Sequence, residues 1–295
     1  MKGQNMINFS IIIPTYNRAN RLIQTIHSVT KQRYPNFELI IVDDGSTDNT
    51  SSVVKSFTDN RIHYFYKPNE ERAIARNFGI SKAKGNYITF LDSDDGLYPH
   101  FLEEAASLIR EKDNPEWLHL AYEIIDEKGK ILRRENQRLG NINQSLLTGN
   151  HLSCIGVFLR KDIAKTNPFN QDPDIIGSED YLLWLQLSRR YTLHYSNRIS
   201  AYITQHSDRS VTGFDSQKLQ TRVDKSIFYI QQMGFNNQEL KIIKAHRYLY
   251  LALHLAMAGS KLKSAQALKK SLLIKPGLFL SPKFLAILRR LVVSS

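Results

Sequence analysis

The chain has 295 residues, 42% hydrophobic and 23% charged, enough apolar matter for one large α/β domain with an appendage or for two smaller domains. A single cysteine, Cys154, excludes an internal disulfide, and no Cys/His signature surrounds it, so a buried small hydrophobe is expected there rather than a nucleophile. The longest apolar stretch, Tyr248 to Ala258, contains His254 and is about half the ~20 residues of a spanning helix.

The run Phe9 to Ile13 is broken at once by Pro14, Asn17 and Arg18, so it does not read as a secretory signal. These features together predict a cytoplasmic protein. The formal charge is +12, and it is not spread evenly. Residues 216–295 hold 14 Lys plus Arg against two acids, Asp224 and Glu239, whereas residues 1–215 hold 26 of each sign. The chain is a neutral domain carrying a basic C-terminal attachment.

Phe9 to Ile13 reads as a buried strand, and Arg21 to Gln32 has helical spacing through Leu22, Ile23, Ile26 and Val29. Phe37 to Val42 is a second strand ending in DDGSTDNT, where Asp48 suits the N-cap of a helix from Thr50 to Phe57. A short strand, Ile62 to Tyr66, precedes a helix from Arg72 to Lys84 and a strand from Tyr87 to Leu91. Strands alternating with helices predict right-handed βαβ units and a mostly parallel sheet covered on both faces.

Beyond Asp95 the pattern loosens. A helix is expected over Phe101 to Arg110, and a hairpin over Trp117 to Asp126 and Lys130 to Arg134. A strand over Gly156 to Leu159, a helix over Glu179 to Arg190 and a strand over Leu193 to Thr204 follow. From Gln217 onward the chain reads as helical, with breaks at Met233-Gly234 and Ala258-Gly259.

The densest chemistry is GNYITFLDSDD, Gly85 to Asp95, where an apolar strand delivers Asp92, Asp94 and Asp95 to its C-terminal end with only Ser93 between them. Neighbouring carboxylates repel and raise one another's pKa unless a cation neutralises them. Oxygen ligands spaced i, i+2 suit a hard ion, Mg²⁺ or Mn²⁺, which shares its remaining sites with water and substrate phosphates.

In open α/β sheets, ligands bind beyond the carboxyl ends of the strands. Three such ends carry polar clusters: Pro14 to Arg18, Asp43 to Ser46 and Asp92 to Asp95. Together they describe a nucleotide site. Pro14, Thr15 and Tyr16 can wrap a base and ribose, Asp43 or Asp44 can accept a base N–H, and Arg72 and Arg76 can approach the base or the diphosphate. Taken singly, DDGSTD is also an ordinary turn into a capped helix, and SDD an ordinary surface turn. An EF-hand fails because glycine falls one place early, at Gly96, and because a strand precedes the loop. No GxGxxG follows the first strand, and GxxxxGK[ST] is absent.

SIIIPTYNR (Ser10 to Arg18), ELIIVDDGSTDNT (Glu38 to Thr50), ARNFGISKAKGNYITFLDSDD (Ala75 to Asp95) and GSEDYLLWLQL (Gly177 to Leu187), in this order, resemble the family 2 glycosyltransferases of GT-A fold over about residues 8–210. The resemblance implies a Rossmann-like, mostly parallel sheet flanked by helices. It also implies a nucleotide-diphosphate-sugar donor, a divalent metal (Mn²⁺ or Mg²⁺) and inversion at the anomeric carbon. Carried over, Asp94 becomes the metal ligand, Asp92 the ribose or sugar contact that also borders the metal, and Asp44 the base reader. Asp43 is the neighbour of that base reader. Thr15, Arg18 and Ser93 fall inside the matching motifs.

A displacement needs a base for the acceptor hydroxyl. The family pattern puts it at Asp180, with Glu179 orienting it or binding acceptor. Without the family, Glu179-Asp180 is simply a favourable helix start. YITQHSDRS (Tyr202 to Ser210) resembles the family's histidine segment, making His206 a metal or diphosphate ligand, or alternatively a structural histidine. Trp184 shares a helix face with Leu183 and Leu187 and is expected in the core, while His151 and His194 have no supporting pattern.

The expected organisation is a catalytic domain over 1–215, with a nucleotide-sugar half at about 8–95 and an acceptor half at about 96–215, then a basic helical region over 216–295. In the latter, Arg289 and Arg290 stand beside Phe284, Leu285, Ile287, Leu288 and Leu291, with Lys261, Lys263, Lys269 and Lys270 nearby. Either this is a solvated face, or it holds the protein reversibly on the anionic cytoplasmic face of the inner membrane. Nucleic acid is a poorer partner, because no aromatic-interleaved basic motif is present.

The expected activity is transfer from a UDP-sugar to a glycan, lipid-linked, in surface polysaccharide synthesis. The alternatives are a polyprenyl-phosphate glycosyl synthase, a catalytically silent nucleotide-sugar-binding module, and a nucleotidyltransferase, the last disfavoured because a glycine-rich basic N-terminal loop is missing.

Overall fold

The computed structural model describes residues 6–135, 140–206 and 215–293. The chain forms two compact units: residues 1–140, 152–169 and 191–209 in the first, and residues 141–151, 170–190 and 210–295 in the second.

The first unit begins with β1 (Phe9–Thr15), α1 (Ala19–Thr30), β2 (Phe37–Asp43), α2 (Thr50–Lys55), β3 (Ile62–Tyr66), α3 (Arg72–Lys82) and β4 (Tyr87–Phe90). The sheet order β3-β2-β1-β4 is parallel throughout. Every residue of β1 is buried, which is why this central strand is an unbroken apolar run. Gly79 of α3 lets the helix close on β1, since a Cβ there would stand 2.5 Å from Ile12 Cγ2.

The unit continues with β5 (Gly96–Leu97), α4 (Phe101–Glu111), β6 (Trp117–Asp126) and β7 (Ile131–Glu135). The sheet then gains antiparallel members. Later in the chain β8 (Val157–Arg160) lies antiparallel to both β4 and β6, and β9 (Leu193–Gln205) runs parallel to β6 and antiparallel to β5. The parallel expectation therefore describes β1 to β4, and the second half is mixed. Predicted elements agree to within a few residues, the hairpin of β6 and β7 included. The two-residue β5 was not anticipated. Phe9, Ile11, Leu22, Phe101, Leu118 and Phe158 belong to one apolar cluster.

The second unit contains α5 (Ile142–Ser145), a 3₁₀ turn (Leu146–Thr148) and α7 (Glu179–Ser188), whereas the short α6 (Lys161–Thr166) belongs to the first. Four helices follow: α8 (Ser216–Gln231), α9 (Asn237–Met257), α10 (Lys261–Ile274) and α11 (Pro282–Val293). Both expected breaks occur, at Gly234 and Gly259, each with φ near +75°. Asn236 and Glu239 form a capping box that starts α9. Leu219, Val223, Leu249, Leu255, Leu268 and Ile287 form the apolar centre of this unit, and Trp184 is fully buried.

Candidate functional site

In the first unit, the parallel register brings the C-terminal ends of β1, β2 and β4 to one edge. Thr15 pairs with Asp43, and the Asp44 N–H donates to the Thr15 carbonyl at 2.8 Å. The loops after β1 and β2 are then stapled together. Asn17, at φ 49°, accepts from the Thr47 N–H at 2.8 Å and donates its own N–H to Ser46 Oγ at 2.9 Å. Asp48 ties two helix starts: Oδ2 accepts from Ala19 N–H at 3.1 Å, and Oδ1 accepts from the Thr50 backbone and hydroxyl at 3.0 and 2.5 Å. The formal N-cap position is Asn49, one residue later than the sequence suggested, although the capping contacts come from Asp48. Gly45 has φ +86°, and a Cβ there would meet Asn69 N at 2.8 Å.

This stapling leaves Tyr16 at the loop tip, 49% exposed, while Pro14 and Thr15 are buried in the strand end and Arg18 is half-buried before α1. Thr15 Oγ1 is buried without a hydrogen-bond partner among the described residues.

The two aspartates after β2 separate in role. Asp43 accepts from Ser46 N–H at 2.8 Å and from Tyr64 OH at 2.6 Å. Burial, followed by that bond to Asp43, pushes Tyr64 up to about 12. Asp44 Oδ1 takes Lys67 Nζ at 2.5 Å and Glu70 N–H at 3.1 Å. Burial of Lys67 opposes its charge, but bonds to Asp44 and Glu70 outweigh it and raise its pKa. Asp44 Oδ2 keeps no such partner among the described residues.

After β4 the chain turns through Asp92 to Asp95, closed by the Asp95 N–H to the Asp92 carbonyl at 3.2 Å. Thr25 Oγ1 of α1 sits against the carbonyls of Ser93 and Asp95, at 3.0 and 2.9 Å. Buried Asp95 accepts from Thr204 N–H at 3.0 Å, which joins the turn to β9. Asp92 accepts from Arg76 Nη2 at 2.8 Å. Arg76 is 2% exposed and lies over the Phe169 ring at 5.4 Å. Arg72 opens α3, one residue after Glu71, whose φ of +76° is strained for a side chain bearing a Cβ.

Asp94 Oδ2 and His206 Nε2 stand 2.9 Å apart, with the imidazole wholly buried and Nδ1 unpartnered among the described residues. Ser207, Asp208, Arg209 and Ser210 of the histidine segment lie outside the described residues. Among the described residues no group of three His, Cys, Asp or Glu side chains clusters as a metal site. Asp94 and His206 come together, and Asp92 is engaged by Arg76. Two cis ligands of an octahedral ion at ~2.1 Å stand about 3 Å apart, so the 2.9 Å pair has the spacing of a two-ligand site. An ion that keeps substrate phosphates and water in its remaining positions fits this donor set.

In the second unit, Glu179 and Asp180 begin α7 as expected. Glu179 is buried and accepts from Gly177 N–H at 2.5 Å. Half-buried Asp180 accepts from Asn150 Nδ2 at 2.8 Å and from Tyr181 N–H at 2.7 Å. A concavity of about 810 Å³ lined by Asn86, Tyr87, Arg160 and Lys161 lies at the opposite end of β4, and it contains none of the candidate residues.

The sequence model of the family described as Glycosyl transferase family 2 matches residues 10–162, just over half of the chain. The chain belongs to glycosyltransferase family 2. The glycosyltransferase from Escherichia coli named UDP-Glc:alpha-D-GlcNAc-diphosphoundecaprenol beta-1,3-glucosyltransferase WfgD is 35% identical over 65% of this chain and 72% of its own length. An uncharacterized glycosyltransferase of Haemophilus influenzae is 29% identical over 84% of this chain and 95% of its own length. A Rickettsia bellii relative is 40% identical over 62% of this chain, which spans only 27% of that protein. Across four Rickettsia relatives the chain spans between 27% and 61% of their length.

Among solved structures, Staphylococcus aureus TarS in complex with UDP-GlcNAc has a TM-score of 0.69 at 19% identity, covering 91% of this chain and 81% of that one. The Pyrobaculum calidifontis mannosyltransferase PcManGT in complex with GDP-Man and Mn²⁺ has a TM-score of 0.61 at 15% identity, covering 97% and 85%. The enzyme has the GT-A fold, with a helical C-terminus.

Sequence reasoning missed Asn17, Thr25, Tyr64 and Lys67. Asn17 stood inside a motif already in hand, and its place before a loop pointed to a turn. Lys67 and Tyr64 carried no signal, since their partners lie 23 and 21 residues away across strand pairing.

Proposed function

We propose that the enzyme is a metal-dependent, inverting glycosyltransferase that moves a sugar from a UDP-sugar to a lipid-linked glycan acceptor in surface polysaccharide synthesis. The observation that carries this reading is the Asp94–His206 pair at 2.9 Å, its imidazole buried, beside an Asp92 engaged by a buried arginine. Asp94 and His206 would hold Mn²⁺ or Mg²⁺, and the bound ion would neutralise the diphosphate as it departs.

The chain's own residues do the remainder. Tyr16 stacks on the base, Asp44 Oδ2 accepts the imide N–H of uracil, and the buried Thr15 hydroxyl faces the nucleoside. Lys67 holds the Asp44 carboxylate in place through its ammonium. Asp92, steered by Arg76, accepts from ribose or sugar hydroxyls. Ser93 holds the turn through its carbonyl, and Pro14, Arg18 and Arg72 border the nucleotide. Asp180 takes the acceptor hydroxyl's proton, and Glu179 orients the start of α7. The names of WfgD and TarS support the uridine donor, and that of WfgD supports the lipid-linked acceptor.

The basic helices support work at the cytoplasmic face of the inner membrane. No helix among the described residues is long and apolar enough to cross a membrane. In α11, Ile287 is buried and Phe284 and Leu291 pack inward, yet Leu285, Leu288 and Val292 stay exposed as a second stripe. Phe279 and Leu280 are exposed just before it, and Arg289 and Arg290 lie in the same exposed segment. Apolar side chains flanked by arginines suit an anionic lipid surface.

A thermal-shift panel of nucleotide-sugars, with and without Mn²⁺, tests the reading. A ligand that binds only the folded state raises stability as RT ln(1 + [L]/Kd). UDP-sugars are expected to raise the melting temperature, and more so with Mn²⁺. Equal shifts with and without metal would remove the metal role, and a GDP- or dTDP-sugar preference would replace the donor.

A further inference from the structure

The second unit holds more positive charge around α7 than its carboxylates balance. Arg247 of α9 is 6% exposed, and its guanidinium donates to Ser178 Oγ at 3.2 Å and to Ser226 Oγ at 2.9 Å. It lies over the rings of Tyr181 and Tyr250 at 5.4 and 5.2 Å. No carboxylate lies within 4.0 Å of it among the described residues. Arg222 of α8 rests against the backbone of Gly177: its Nη1 is 2.9 Å from where a Cβ would stand, at a φ of +86°. Arg222 makes no ion pair among the described residues. Lys283 Nζ of α11 and His151 Nε2 both lie 3.9 Å from the corresponding point at Gly149.

These groups share one field. Burial, then the charges of Lys283, Lys275 and His151, hold His246 down at about 4. Burial, then Arg222, Lys283 and Arg247, lower His254. Burial also lowers Arg247, and Asp180 is the carboxylate whose charge opposes that shift. Lys283 is solvent-exposed, and the protein packed around it lowers its pKa. The unit's other acids have partners of their own. Glu179 accepts from Gly177 N–H, Asp172 and Asp174 hold Lys225, Glu239 closes the capping box, Asp215 caps α8 and Asp224 accepts from Gln220.

Like charges so placed destabilise the fold unless an anion neutralises them. Guanidinium groups and imidazole N–H groups are phosphate donors. We propose that Arg222, Arg247, His246, His151 and Lys283 form a subsite for the diphosphate of the acceptor, next to Asp180. The sugar joined to that diphosphate would then present its hydroxyls to Asp180 from one ring away. This rests on the acceptor reading of Asp180, and it makes the helical unit a part of substrate recognition rather than an appendage.

Inorganic pyrophosphate, titrated into the full chain without metal, tests the subsite by calorimetry and by NMR of the histidine rings. Binding is expected, with the His246 pKa rising by about one unit or more. Lys283→Ala and Arg222→Ala should each weaken binding by about tenfold or more, Arg222→Lys should recover part of it, and Lys128→Ala, on the hairpin turn of the other unit, should leave it unchanged. Phosphatidylcholine vesicles doped with polyprenyl diphosphate, compared with vesicles doped with polyprenol, identify the lipid-linked source. Only the former should retain the enzyme, and Lys283→Ala should lose them.

Absence of pyrophosphate binding, an unmoved His246, or equal binding by Lys283→Ala would overturn the subsite. Binding lost in Asp94→Ala but kept in Lys283→Ala would assign the anion to the donor site instead. Equal retention of both vesicle types would overturn the lipid-linked source. None of these readouts requires sugar transfer, so the subsite and the proposed activity fail separately.

Discussion

Two adjacent aspartates, Asp43 and Asp44, show how a motif divides its labour. Asp43 has both oxygens engaged, by Ser46 and Tyr64, and so serves the turn. Asp44 is clamped at one oxygen by Lys67, and in the proposed reading the other oxygen accepts from the base. Lys67→Met should therefore weaken donor binding while hardly changing the fold, because it removes the partner that fixes the orientation of the Asp44 carboxylate. Asp180→Asn should keep donor affinity and lower turnover by roughly 10²- to 10⁴-fold, the usual contribution of a positioned base. Full activity in that variant would move the base elsewhere. The pair could not be resolved from sequence, since the deciding partners come from β3 and the loop after it. His151, which had no pattern of its own, meets Thr148 Oγ1 within its own turn and gains Lys283 only when α11 folds beside it.

At the level of elements, the sequence is legible where a strand is buried on both faces. The runs Phe9 to Ile13 and Phe37 to Val42 each announced a central parallel strand, and each was found. Gly79→Ala tests the seam between α3 and β1. The added methyl would stand 2.5 Å from Ile12 Cγ2, and overpacking of this kind costs about 1–3 kcal/mol, to be measured by urea unfolding. The antiparallel half was less legible because β8 and β9 find partners 38 to 106 residues earlier, across loops that carry no periodicity. In α11 the apolar residues read as one amphipathic face. Folding divides them into an inward stripe of Phe284, Ile287 and Leu291 and an outward one of Leu285, Leu288 and Val292. Changing the outward three to serine should release the enzyme from anionic vesicles without loss of stability, whereas retention would reject the membrane role.

For the whole molecule, charge and burial set the response to pH and salt. His246 and His119 are held at about 4 and about 3, chiefly by burial, against an ordinary 6.5. Unfolding lets both imidazoles take up protons more readily, so their contribution is complete above about pH 6.5 and is lost as pH falls toward 4. Unfolding midpoints should fall across that window, and His246→Asn should flatten the decline. Vesicle binding should weaken with salt, since the net positive charge lies beyond residue 215 and exposed charges are screened over about 8–10 Å.

The central claim is that Asp94, with His206, carries a metal that holds the donor. Calorimetric titration of UDP into the wild-type enzyme and into Asp94→Ala, each with and without Mn²⁺, tests it most directly. Mn²⁺ is expected to tighten UDP binding by the wild type, and this gain should vanish in Asp94→Ala while weak metal-free binding persists. An equal gain from Mn²⁺ in both proteins would contradict the account.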